Sequence, residues 1–180
     1  MCSRDRSVPS VMQVPPPSIL TLPDARLRRV AEAVTVFDAE IQQQFDVLDA
    51  AMRAGPGGVG IAAPQLGVNR RMIVVDASLG RHPSRNHGLL HMVNPGITRH
   101  SEDKVLGREG CLSVPEWVGM VRRARSVRVQ FQDVAGVAHE IESSGFEARV
   151  IQHEIDHLDG ILFIDRVVST HDLIRRMGRT

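Results

Sequence analysis

Toward its C-terminal end the chain reads His153-Glu154-Ile155-Asp156-His157, and no other stretch restricts the fold as much. On a helix, residues four apart share a face, so the two imidazoles can grip one ion. Glu154 then stands beside that ion without binding it, placed to take a proton from water. The neighbours add a second constraint: Ala148, Ile151 and Ile155 fall on the side roughly opposite the two histidines. A helix with a metal-ready face and an apolar face belongs in the middle of a domain. Two histidines on a solvated helix would show the same spacing, so the motif does not decide alone.

A catalytic site of this kind commonly takes three protein ligands and keeps a fourth position open. The longer form of the motif has Gly and then a third His at fixed spacing. Here Gly160 matches, but Phe163 occupies the His position, and no Glu follows Glu154. Asp165 and His171 remain as downstream options. Upstream, Cys111 sits in Arg108-Glu109-Gly110-Cys111-Leu112-Ser113-Val114-Pro115. A thiolate with two imidazoles suits Zn(II) or Fe(II), although a lone Cys also reads as a small buried apolar side chain. Cys2 and Cys111, so far apart, suggest no disulfide framework, and a reduced cytosolic protein is expected.

A third segment, Gly58-Val59-Gly60-Ile61-Ala62-Ala63-Pro64-Gln65, runs from glycines to a Gln. It lacks the spacing and Lys of a phosphate loop, and by itself reads as a turn. Taken in order with Glu109–Ser113 and His153–His157, it resembles the three signature motifs of the peptide deformylases. The resemblance runs from about Ile19 to about Arg166.

That resemblance implies an α+β fold with sheets around a central metal-binding helix. It implies that Cys111, His153 and His157 bind one divalent ion, with Fe(II) the native metal and Zn(II), Ni(II) or Co(II) able to occupy the site. Glu154 would be the general base, while the Gln65 amide and the Leu112 backbone N–H would serve the oxyanion. The implied substrate is the formyl-Met N-terminus of a nascent bacterial polypeptide, from which formate is released. Its Met side chain would lie between Gly58, Val59 and Gly60 on one wall and Phe146, Val150 and the stem of Arg149 on the other. Phe146 and Val150 read equally as plain core. Glu109 and Asp156 are candidates to orient the ligand imidazoles.

The chain departs from the family at one place. Many members carry an Arg shortly after the second motif, where this chain reads Pro115-Glu116-Trp117-Val118. Arg122, Arg123 and Arg125 follow and would substitute, unless they form a solvated strand edge. Two competing readings use the same helix. A zincin-type peptidase would need a downstream third ligand and no Cys111, and a binding protein would need no general base.

With 180 residues the chain is long enough for one domain with a substantial core. A formal net charge of +1 gives no global argument for nucleic-acid binding, and no specific nucleic-acid sequence is expected as a partner. No apolar run reaches membrane-spanning length and no secretory h-region opens the chain. Arg4 and Arg6 beside Ser3 and Ser7 would suit an organelle transit peptide, but the segment is short and contains Asp5, so a bacterial cytoplasmic protein is expected. Asp38 is placed to cap a helix carrying Ile41, Phe45, Leu48 and Met52 at helical spacing, ending before Gly55. Met72–Val75, Leu89–Val93 and the alternating Val127–Phe131 read as strands, with a turn at Asp133–Gly136 returning the last onto Val137–Ile141. Residues 1–18 are expected to be a flexible segment, 19–168 the catalytic domain and 169–180 a C-terminal helix or tail. In that last part Leu173, Ile174 and Met177 are interspersed with Arg175, Arg176 and Arg179, the pattern of a short amphipathic helix from Thr170 to Met177. The family resemblance implies that such a helix could dock electrostatically on a ribosome.

Overall fold

The computed structural model describes residues 18–81 and 84–176. Helix α1, Ala39–Ala54, forms where the apolar spacing predicts it and buries Ile41, Phe45, Leu48 and Met52. Asp38 caps it by accepting from the Glu40 N–H at 2.9 Å, which satisfies a donor the helix cannot. Strands β1 (Gly60–Ala62), β2 (Met72–Asp76), β3 (Leu89–His100), β4 (Lys104–Cys111), β5 (Val114–Ala124), β6 (Ser126–Gln132) and β7 (Ala138–Ser144) follow. Helix α2, Gly145–Leu158, comes next, and strand β8, Ile174–Arg175, lies near the end of the described residues.

The strands form two antiparallel sheets, one ordered β1-β2-β3-β6-β7 and the other β4-β5-β8. Packing explains why the β2 run is apolar throughout. Met72 and Val74 join Phe45, Leu48 and Met52 of α1, whereas Ile73 and Val75 join Ala148, Ile151 and Ile155 of α2. A strand covered on both faces has no use for alternating polar residues. Helix α2 is enclosed in turn: every residue from Val150 to Leu158 is buried. The α+β class and the central helix are therefore as expected.

Three elements differ from the reading of the sequence. The strand expected over Leu89–Val93 runs on through Asn94-Pro95-Gly96, and the register slips there. Asn94 takes a left-handed conformation, φ 50°, and its amide holds the Val34 backbone, accepting from the N–H and donating to the carbonyl, both at 2.8 Å. Pro95, having no N–H to donate, fits such a bulge. The β4–β5 hairpin was not anticipated. The helix expected from Thr170 to Met177 does not form over residues 170–176. Thr170–Asp172 is a 3-10 turn, and β8 pairs Ile174 with Val118 and Arg175 with Trp117. The edge of β5 offers unpaired backbone groups, and pairing with it outweighs a weak helical preference. The expected N-terminal segment, apart from Ser18, and the last residues from Met177 lie outside the described residues. Among the described residues no helix is long and apolar enough to cross a membrane.

Candidate metal centre

The three candidate ligands meet where a hairpin reaches the buried helix. Cys111 ends β4 and pairs with Val114, leaving Leu112-Ser113 as a two-residue turn that pushes the thiol toward α2. His153 and His157 lie one turn apart on α2, their rings 5.1 Å apart and edge to face. One donor atom from each of Cys111, His153 and His157 lies within 4.8 Å of the others, and all three residues are buried. The His157 Nε2 stands 3.2 Å from the Cys111 Sγ. Burial raises the Cys111 thiol, but His157 and His153 beside it outweigh that and hold it well below its ordinary value. The Ser113 N–H also donates to the sulfur, at 3.3 Å. A thiolate with two imidazoles fits a divalent ion of borderline softness.

Behind these donors lies a buried charge network built on Glu109. It accepts from His153 Nδ1 at 3.0 Å, from Arg123 Nε and Nη2 at 3.0 Å each, and from Arg149 Nη1 at 2.7 Å. Burial raises the Glu109 carboxyl, yet His153 and Arg123 overcome this and hold it far below the usual carboxylate range. An acceptor at His153 Nδ1 favours a proton on that nitrogen, the tautomer in which Nε2 would be the atom to bind a metal. Of the two carboxylates considered for this task, Glu109 touches an imidazole and Asp156 does not. Asp156 pairs instead with Arg123 and with Arg166, whose Nε and Nη2 donate at 2.6 Å.

Arg123 is thus neither a solvated strand edge nor a substitute at the substrate. It is 5% exposed and bridges Glu109 to Asp156. Arg122 and Arg125 are exposed, and Arg125 pairs with Asp103. The guanidinium of Arg149 ties the hairpin down as well, donating to the Val105 carbonyl at 2.7 Å and the Val121 carbonyl at 3.0 Å.

The remaining site residues surround one cleft of about 210 Å³. Gly58, Val59 and Gly60 line one part, and Phe146, Arg149 and Val150 of α2 another, with Gln65, Cys111, Leu112, His153 and Glu154 also in the lining. Gln65 is held by both ends of its amide. Its Oε1 accepts from the Ala62 N–H at 2.8 Å, and its Nε2 donates to Ser113 Oγ at 3.0 Å while lying 3.6 Å from Cys111 Sγ. Burial pushes the Glu154 carboxyl up to about 7, and its Oε2 has no hydrogen-bond partner among the described residues. Gly60 makes room for this carboxylate: a Cβ there would fall 2.5 Å from Glu154 Oε1.

The downstream ligand options are not drawn in. Asp165 pairs with Arg28 and accepts from the Leu162 N–H at 2.8 Å, and neither it nor His171 joins the donor cluster among the described residues. Phe163 stacks on His153 with ring centroids 6.3 Å apart, so it covers that imidazole where a longer motif would supply a third His. The sequence reading missed the tie between Arg149 and the hairpin, and missed Arg108 and Arg176 in the cleft lining. The signals for the buried network were Glu109 and Asp156 beside the candidate ligands and a run of arginines with no acidic partner close in sequence.

The chain is similar to known proteins along most of its length. The family model for polypeptide deformylase matches residues 16–172. A peptide deformylase of Thermomicrobium roseum is 45% identical over 151 residues, covering 83% of this chain and 85% of that protein. One of Methylocella silvestris is 43% identical over 149 residues, covering 83% of this chain and 76% of that protein. Among solved structures, the Synechococcus elongatus peptide deformylase in complex with actinonin aligns with a TM-score of 0.80 at 36% identity, covering 89% of this chain and 85% of that one. A Met-Ala-Ser-bound class I type b peptide deformylase of Acinetobacter baumannii aligns with a TM-score of 0.77 at 38% identity, covering 82% and 97%. The chain belongs to the polypeptide deformylase family and is a hydrolase of that family.

Proposed function

We propose that this enzyme removes the formyl group from the N-formylmethionine that begins a nascent bacterial polypeptide, releasing formate and a free α-amine. The observation that carries this reading is the buried cluster of Cys111, His153 and His157, which meets Glu154 and Gln65 at the cleft that Cys111 and His153 also line. Cys111, His153 and His157 would hold a single divalent cation. When bound, such an ion supplies Lewis acidity and lowers the pKa of water in the site. The donor set accommodates Fe(II), which the family resemblance favours, and equally Zn(II), Ni(II) or Co(II).

The chain's own groups then divide the work. Glu154 takes the proton from the attacking water and passes it to the nitrogen as the formyl C–N bond breaks. Its burial helps here, because a carboxyl raised toward neutrality both accepts and returns a proton readily. The Gln65 Nε2, aimed into the site by the Ala62 N–H, and the Leu112 backbone N–H donate to the formyl oxygen as negative charge builds on it. The first Met side chain lies between Gly58–Gly60 and Phe146, Arg149 and Val150. The peptide that follows runs extended along β1 or β4, both of which are sheet edges with backbone groups to offer.

In this reading residues 19–168 are the catalytic unit, β8 extends its second sheet, and the enzyme works in the cytoplasm. Recruitment to the ribosome would need a surface other than the expected amphipathic helix, because residues 170–176 form a turn and a strand. Metal-loaded protein incubated with formyl-Met-Ala-Ser is expected to yield formate and intact Met-Ala-Ser. Cleavage of an internal peptide bond without formate would assign the site to a peptidase, and binding without either product would assign it to a binding protein.

A further inference from the structure

The proposed chemistry leaves two positive charges in the cleft without a task. Arg108 of β4 and Arg176, just after β8, both line it and both are exposed. Arg149 and Arg175 nearby are committed to Glu109 and Glu116. Among the described residues neither Arg108 nor Arg176 forms an ion pair.

Arg176 is brought there by its backbone. The pairing of β8 with β5 sets its approach, and its N–H donates to the Glu116 carbonyl at 2.7 Å. Its guanidinium then lies across Gly110: a Cβ at that position would come within 2.3 Å of Arg176 Nη2 and 3.2 Å of a Val118 methyl. Gly110 therefore leaves the space that admits this side chain, one residue before the Cys111 thiol. The terminal segment thus reaches the cleft through sheet pairing, which fixes it more firmly than a loose tail.

The position suits a reader of the substrate. If the reacting end sits against Glu154 and Gln65, the residues after the first must leave through the exposed part of the cleft. That part is where Arg108 and Arg176 lie. We infer that Arg176, together with Arg108, is a specificity-determining residue that favours peptides bearing an acidic side chain soon after the first residue. The inference rests on the deformylase reading above. An unpaired guanidinium attracts a carboxylate and repels an ammonium, and at an exposed site each effect is modest and screened by salt.

The test compares two amidated peptides, formyl-Met-Ala-Glu and formyl-Met-Ala-Lys, so that only the third side chain differs in charge. Formate release by wild-type protein from formyl-Met-Ala-Ser is measured first and establishes the underlying reading independently. Wild type is then expected to prefer the Glu peptide by about two- to fivefold in kcat/KM at low salt. The preference should shrink toward one in roughly 1 M salt, where the Debye length is about 3 Å. Arg176→Lys should keep most of it, and Arg176→Glu should abolish or reverse it. This ratio is insensitive to a general loss of active protein, since both peptides meet the same enzyme. Equal ratios in wild type and Arg176→Glu, or a wild-type ratio of one at low salt, would overturn the inference while leaving the deformylase reading intact.

Discussion

Replacing Glu109 with Gln exchanges one oxygen for a nitrogen of similar size, yet the network predicts a severe effect. In the native protein each carboxylate oxygen receives two donors. Oε1 takes Arg123 Nε at 3.0 Å and Arg149 Nη1 at 2.7 Å, and Oε2 takes His153 Nδ1 at 3.0 Å and Arg123 Nη2 at 3.0 Å. A Gln oxygen can serve one of these pairs, and its NH2 group must then face the other. Arginine has no acceptor to offer it. His153 does, but only by moving its proton to Nε2, the atom the cluster needs as a ligand. Either orientation therefore leaves buried donors opposed or disables His153. Losing one partner of a buried ion pair costs about 3–5 kcal/mol. We expect the lower end, about 3 kcal/mol, because Arg123 keeps Asp156 and Arg149 keeps the Val105 and Val121 carbonyls. For a chain of this size that corresponds to a fall in Tm of about 6–12 °C. Loss of the group that orients a ligand imidazole should also weaken metal binding about 10–100-fold. Thermal unfolding of chelator-treated protein isolates the first effect, and metal titration of the refolded protein the second. A Glu109→Gln protein with the wild-type Tm and metal affinity would refute the reasoning.

Other substitutions separate the remaining roles. Glu154→Gln should retain metal while turnover falls about 10²–10⁴-fold; loss of metal together with turnover would mean that Glu154 is a ligand. Cys111→Ala should lose most bound metal, and full metal content and activity in that variant would remove Cys111 from the site. Gly60→Ala introduces a Cβ 2.5 Å from Glu154 Oε1, so it should cut kcat sharply while bound metal stays near the wild-type level, checked by metal analysis beside formate release; unchanged kcat would show that the carboxylate need not hold this position.

The parts of the molecule that could be read from sequence are those whose signals are local. Helix α1 announced itself by a cap and four apolar positions, and β2 by an unbroken apolar run between turn residues. The helix with His153 and His157 was placed in the interior because it carried apolar residues on the face away from the histidines. What escaped depends on residues distant in the chain. Arg122-Arg123 looks solvated when read locally, since the counter-ions of Arg123 lie 14 residues before it and 33 after it, at Glu109 and Asp156. The C-terminal segment has helical spacing, and nothing within it reports the open edge of β5 that turns it into a strand. Arg176 reached the cleft by that same pairing, so its position was hidden for the same reason. The β4–β5 hairpin mixes charged, small and apolar residues because one side faces the buried network and the cleft, which blurs the alternation expected of a half-buried strand.

The central claim is that a cation held by Cys111, His153 and His157 is required for formate release. It is tested most directly by purifying the protein anaerobically, measuring its metal content, and following formate release from formyl-Met-Ala-Ser before and after chelation. The account predicts about one bound divalent ion per chain, activity in proportion to it, loss on chelation, and recovery when Fe(II) is returned. Undiminished formate release by protein shown to be metal-free would contradict it.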